Sequence, residues 1–149
     1  MFSLFISYAF ALSCVHTQKD FNCVQYVKNH DGDTITFNIK GVPDLIGKAI
    51  TVRVYGIDTP EVNTKNKCEK ERGKEAQFVV QKMMLNSKRI DLVNVQRDKY
   101  FRILAEVKVD GVFLKDVMIQ KHLAYPYFGD TKRKINWCLK SVSYTHLRA

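Results

Sequence analysis

The sequence predicts an α+β fold, a small five-stranded Greek-key barrel with two to three helices packed against it. Three observations lead there. Five separate stretches carry strand signals, and two of them, Thr34 to Ile39 and Ala49 to Ile57, alternate apolar and polar residues with a period of two. A stripe with helical spacing lies between the third and fourth, and a shorter one follows the fifth. At 149 residues the chain has the size of one ordinary domain. It is 46% hydrophobic, enough for one core, and its 26% charge excludes a multi-span membrane protein. Nine Phe and seven Tyr in a mixed alphabet exclude low-complexity disorder.

The first strand signal is Val24-Gln25-Tyr26-Val27, which runs toward Asp31-Gly32-Asp33, a turn signal. Thr34 to Ile39 then alternates. Ala49 to Ile57 alternates again, with Ile50, Val52 and Val54 on one face and Thr51, Arg53 and Tyr55 on the other. Ile90 to Val95 and Ile103 to Val109 supply the last two strands, and Asp110-Gly111 closes the second of them. Between them, Ala76, Val79, Val80, Met83 and Met84 form a core-facing helical stripe; the methionines read as core filler. Leu114, Val117 and Met118 begin a second helix that extends toward Lys121-His122-Leu123. Five strands with helices in these positions match the oligonucleotide/oligosaccharide-binding (OB) barrel.

Both ends read as foreign to that barrel. Phe2 to Val15 carries no charge and is too short for the roughly 20 apolar residues of a spanning helix. It fits the apolar region of a secretory signal, with Ala9-Phe10-Ala11 as a small-x-small cleavage site, although no Lys or Arg follows Met1. A lipid anchor at Cys14 and a buried first strand are the alternatives. Residues 1–20 are therefore expected to be a leader, 21–141 the folded domain, and the destination secreted or cell-envelope. The last eight residues, Val142 to Ala149, resemble the translation of an adapter used in DNA library preparation and are set aside. Cys14, Cys23, Cys68 and Cys138 show no C-x-x-C pairing, which argues against a zinc ribbon. Of the possible disulfides, we expect Cys68 with Cys138, each beside a loop.

The net charge of +9 favours a polyanionic partner and says nothing about fold. Three polar clusters interrupt the strand pattern. In Asp31-Gly32-Asp33-Thr34, two acids spaced by two point to one side of an extended backbone. In Arg53-Val54-Tyr55-Gly56-Ile57-Asp58-Thr59-Pro60-Glu61, a mid-strand arginine leads to two carboxylates flanking a proline that fixes the local backbone. Asp98-Lys99-Tyr100-Phe101-Arg102 is a charged turn entering the fifth strand. Each alone has an ordinary reading: a turn, a surface ion pair, a helix cap. Their combination in one basic barrel points to chemistry on phosphate. Hard divalent cations take carboxylate and carbonyl oxygens, and guanidinium forks bind phosphate in a bidentate manner. The acids are expected to be exposed and dispensable for folding, and Lys132 in the run Thr131-Lys132-Arg133-Lys134 reads as a surface charge.

Those three segments, in that order and at those separations, resemble the signature of the staphylococcal nuclease (thermonuclease) family. The helix start Gly73-Lys74-Glu75-Ala76 is similar too, and the likeness spans Val24 to Trp137. The resemblance implies a calcium-dependent phosphodiesterase, a thermonuclease-like endonuclease, that leaves a 3′-phosphate and a 5′-hydroxyl. By motif position, Asp33 and Asp58 match the calcium (Ca2+) carboxylates, and Thr59 supplies a backbone carbonyl. Glu61 matches the general base, and Arg53 and Arg102 the phosphate-binding arginines. Asp31 matches an outer acid near the metal's water shell. Lys99 and Tyr100 match positions near the 5′ end of a bound nucleotide, and Tyr125 and Tyr127 resemble the tyrosines of the base-side pocket. Phe101 departs from the pattern, standing where the family's turn carries glycine.

The expected function is thus hydrolysis of DNA or RNA with little sequence preference, by a monomer without a stable membrane span. One alternative is a catalytically inactive nucleic-acid-binding module on the same OB barrel. Another is an adhesion or lipid-surface protein using charge alone, which leaves the acids without a role.

Overall fold

The computed structural model describes residues 14–139; the uncharged stretch through Ser13 and the adapter-like residues 142–149 lie outside them. In chain order the elements are β1 (Gln25–Asn29), β2 (Thr34–Asn38), α1 (Asp44–Gly47), β3 (Ile50–Val54), β4 (Gly56–Asp58) and α2 (Lys67–Leu85). They continue with β5 (Ile90–Arg97), β6 (Ile103–Val109), β7 (Val112–Phe113), α3 (Leu114–Gln120) and β8 (Tyr125–Tyr127). The main sheet runs β1-β2-β3-β6-β5, with β3 and β6 parallel and the other pairs along it antiparallel. The segment before β1 closes the sheet onto β5: Phe21 pairs with Leu92, and Val24 N–H donates to the Ile90 carbonyl. This is the five-stranded OB barrel, without open edges between β1 and β5.

The inward residues of the alternating stretches form the core, with Ile35, Phe37, Val52, Leu92, Ala105 and Val107 at most 1% exposed. Helix α2 closes one end of the barrel with Ala76, Val80 and Met84, and α3 adds Leu114 and Met118. The expected single strand from Ala49 to Ile57 is in fact two. At Gly56 the backbone takes a left-handed φ of +89°, so the chain leaves β3 and pairs β4 with β8 in a separate small sheet. That turn carries Asp58 out of the barrel wall and over its end. Helix α2 begins at Lys67, ahead of the expected Gly73 start, with Asn66 accepting a hydrogen bond from the Glu69 N–H. Its first turns are charged and follow no apolar stripe.

The folded body also begins before residue 21. The Lys19 carbonyl accepts from Val95 N–H, Asp20 Oδ1 accepts from Asn94 N–H, and the His16 ring bonds the Lys40 carbonyl at 2.6 Å. Disulfides join Cys14 to Cys23 and, as expected, Cys68 to Cys138. Among the described residues no helix is long and apolar enough to cross a membrane.

The two disulfides close loops of very different size, with sequence separations of 9 and 70. Chain-entropy reasoning assigns about 4 kcal/mol to the longer and about 2–3 kcal/mol to the shorter. In urea denaturation under non-reducing conditions, Cys68→Ser/Cys138→Ser is expected to lose more stability than Cys14→Ser/Cys23→Ser. Equal losses would mean that the long loop is already constrained when the chain is unfolded.

Candidate active site

The first cluster sits at the turn between β1 and β2. The Asp31 carboxylate accepts the Asp33 N–H at 3.1 Å, and this bond orients the turn. Asp33 is 5% exposed and Asp58 6%, so the acids expected to be exposed are buried. What permits this is Arg53, from the facing strand β3. Its Nη1 lies 2.5 Å from Asp33 Oδ2 and its Nη2 lies 2.7 Å from Asp58 Oδ1. The two oxygens not facing Arg53 are also bonded, Asp33 Oδ1 by the Thr34 hydroxyl and Asp58 Oδ2 by the Tyr125 hydroxyl at 2.7 Å. Asp33 Oδ2 further accepts the Thr59 N–H at 2.8 Å, so the two acid-bearing segments are stitched directly together.

Burial, with Asp31 and Asp58 alongside, pushes the Asp33 carboxyl up to about 7 against the pull of Arg53. Burial alone would disfavour the Arg53 charge, but Asp33 and Asp58 outweigh it and hold the guanidinium protonated. The Tyr125 phenol is raised by burial and by its bond to Asp58, so it stays a hydrogen-bond donor.

Glu61 projects from the loop after β4 and its side chain is half-exposed. Its backbone is fixed from two directions. Glu61 N–H donates to Glu69 in the first turn of α2 at 3.3 Å. Gly73 of the same helix lies so close that an added Cβ would sit 2.7 Å from the Glu61 carbonyl oxygen, so only glycine lets α2 approach. Burial and the Asp31 charge raise the Glu61 carboxyl above its ordinary range, with Lys132 opposing.

The third cluster forms a tight turn built by Asp98. Its Oδ1 accepts the N–H groups of Tyr100 (2.8 Å) and Arg102 (2.9 Å), and its Oδ2 takes Arg102 Nε at 2.7 Å. Phe101 fits the turn with φ +61°, taking the left-handed geometry of the glycine it replaces, and its ring is 79% exposed. The Arg102 guanidinium lies over the Tyr100 ring, 5.3 Å from its centroid.

These clusters share one cleft of about 360 Å³, lined by Asp31, Asp33, Thr34, Arg53, Asp58, Glu61, Lys99, Tyr100, Arg102, Tyr127 and Lys132. A second cleft of about 370 Å³ adjoins it, sharing Arg53, Lys99, Tyr100, Arg102 and Tyr127 and adding Tyr55, Arg97 and Phe128. One residue stands elsewhere than expected. Tyr125 is buried behind the cleft as the partner of Asp58, and only Tyr127 lines it. Thr59 is 3% exposed, with a buried hydroxyl that has no hydrogen-bond partner.

Sequence reasoning missed the parts played by Lys132 and Asp98. Lys132 Nζ is 2.9 Å from Asp58 Oδ1 and 3.9 Å from Glu61 Oε1. A basic run shortly after the two tyrosines is its only trace in the sequence. The acidic side of the cleft offers oxygen donors alone, the set a hard divalent cation takes. Among the described residues no three His, Cys, Asp or Glu groups converge as a ready cage; Arg53 and Lys132 face the Asp58 oxygen instead. In donor chemistry the residues fit the cation.

A closed OB barrel with acids and arginines gathered at one end defines the class. Residues 51–142 match the family described as Staphylococcal nuclease homologue, and the chain belongs to that family. It is 37% identical to the SPbeta prophage-derived endonuclease YokF of Bacillus subtilis (strain 168), over 68% of this chain and 34% of the relative. It is 36% identical to endonuclease YncB of the same organism, over 68% and 48%. To the thermonuclease of Staphylococcus hyicus it is 31% identical, over 66% and 55%. The aligned region thus spans about a third to a half of the two Bacillus relatives.

The buried Arg53 pair predicts a contrast in stability. Removing one partner of a buried ion pair leaves uncompensated charge and costs about 3–5 kcal/mol, whereas an exposed pair contributes about 1 kcal/mol or less. With a chelator present, Arg53→Ala should lower unfolding free energy severalfold more than Arg102→Ala. Equal effects in urea titrations would show that Asp33 and Asp58 do not depend on Arg53.

Proposed function

We propose that this chain is a calcium-dependent nuclease that hydrolyses phosphodiester bonds of DNA or RNA with little sequence preference. The observation that carries the reading is the meeting of Arg53, Arg102, Glu61, Asp33 and Asp58 on one cleft from four separate parts of the chain. Relatives named as endonucleases and a thermonuclease support it.

The roles are assigned by motif position, and the shared cleft supports them. Asp33 and Asp58, with the Thr59 carbonyl and Asp31 farther out, would hold the cation, which when bound supplies positive charge to the phosphoryl oxygens. Glu61, half-exposed and with a raised carboxyl, accepts the proton of the attacking water at its carboxylate. Arg102 is the arginine freer to meet phosphate: it lines the cleft, Asp98 holds it at Nε, and its side chain is 53% exposed against 11% for Arg53. Arg53 would meet phosphate in the same cleft while it bridges the acids. Arginine does not give up a proton in proteins, so both act by charge, and solvent protonates the leaving oxygen. Lys99, Tyr100 and Tyr127 border the cleft as contacts for the rest of the nucleotide. Contacts to phosphate and cation carry no base information, which accounts for low sequence preference. An exported, monomeric protein processed near Leu12 or Cys14 completes the proposal; the Cys14–Cys23 and Cys68–Cys138 disulfides suit an oxidising compartment.

Plasmid and RNA incubated with the full chain should be cut with calcium and spared with a chelator. Binding without cutting under both conditions would make the chain a non-catalytic module. Asp58→Ala should abolish the calcium stimulation.

Arg102→Lys keeps charge but loses the fork, so its turnover should fall about 10²–10³-fold, close to that of Arg102→Ala. Steady-state cleavage of a short single strand checks this. Near wild-type turnover in Arg102→Lys would reduce Arg102 to part of the electrostatic surface.

A further inference from the structure

The chain after β8 is pinned at both ends. At one end β8 pairs with β4, and Tyr125 bonds Asp58. At the other, Trp137 is 8% exposed with its ring 6.1 Å from that of Tyr125, and Cys138 is bonded to Cys68 in the first turn of α2. The strap between carries Lys132 to the cleft, where its ammonium also lies 5.9 Å from the centre of the Tyr127 ring.

Asp58 therefore has no idle oxygen: Oδ2 takes the Tyr125 hydroxyl, and Oδ1 takes Arg53 and Lys132. Tyr125 is buried and the Arg53 side chain is only 11% exposed, each on a paired strand, whereas the Lys132 side chain is 51% exposed and has water to move into. A soluble cation that takes Asp58 Oδ1 has to displace a partner there, and Lys132 is the exposed one.

Resting on the calcium reading above, we infer that Lys132 is a tethered cation that competes with the soluble divalent cation for Asp58. It thereby sets the concentration at which the site loads. With the cation absent, it neutralises carboxylates that would otherwise repel one another and the substrate phosphate. Because the strap is fixed at both ends, the ammonium stays at high effective concentration beside the site without adding to the core. Loading breaks a half-exposed ion pair and places a divalent charge near an ammonium. Both effects weaken binding, together by roughly three- to tenfold.

The test is calorimetric titration of calcium into the full, oxidised chain without substrate. Wild type is compared with Lys132→Gln, Lys134→Gln and Asp58→Ala. Lys134, exposed on the same strap, controls for the loss of one positive charge. Lys132→Gln should bind calcium roughly three- to tenfold more tightly than wild type, with Lys134→Gln within about twofold of wild type and Asp58→Ala not binding. Unchanged or weaker binding in Lys132→Gln overturns the competition while leaving the cation site standing. Equal tightening in Lys134→Gln also overturns it, since the general field would then suffice. No calcium binding by any chain, wild type included, overturns the cation reading and the competition with it.

Discussion

The bridge from Arg53 to Asp33 and Asp58 is the interaction on which the rest of the site depends. It places a guanidinium on the wall of a barrel whose inward positions are aliphatic or aromatic, and it gathers two acids from separate segments, the turn before β2 and the end of β4. Neither acid could be buried alone at acceptable cost. With Arg53 between them, and with Thr34, Thr59 and Tyr125 on the remaining valences, each has a partner for both oxygens. The end of the barrel is thus a small polar core beneath the cleft, with both carboxylates fully bonded.

Around this fixed centre the structure places groups of decreasing restraint. Glu61 is held through its backbone by Glu69 and by the approach of α2 at Gly73, while its carboxylate remains half-exposed. Arg102 is clamped only at Nε, by an Asp98 whose other oxygen holds the turn itself. Lys132 is held by a strap and one close ion pair. The order matches what chemistry on a phosphodiester needs: rigid oxygen donors beneath, a base whose backbone cannot shift, and cations at the rim that can adjust to the substrate.

Much of this was legible in the sequence because the OB barrel obeys strand periodicity closely. The alternation of Ile50, Val52 and Val54 against Thr51, Arg53 and Tyr55 is enough to put Arg53 on the face opposite the core, and the burial of Val52 and Val54 agrees. What was not legible depended on contacts between distant residues. Asp33 and Asp58 read as exposed because burial of a charge depends on a partner that local pattern does not contain. The first turns of α2 read as a loop because their residues are charged, and the Asn66 cap and Cys68 disulfide that hold them lie outside any apolar stripe. The break at Gly56 had a glycine as its signal, but alternation on either side of it concealed the change of sheet.

Tyr125 shows why resemblance alone misplaces residues at the edge of a site. Motif position sent Tyr125 toward the base-side pocket, yet the pairing of β8 with β4 turns its ring inward and its hydroxyl onto Asp58. The exchange has a consequence for charge. A neutral donor behind Asp58 satisfies one oxygen without adding a positive charge, and so leaves the balance at the other oxygen to Arg53 and Lys132. Arg53 cannot leave, since Asp33 needs it too. Of these two cations, the one able to withdraw is the lysine on the strap, and the disulfide at the strap's end limits how far it withdraws.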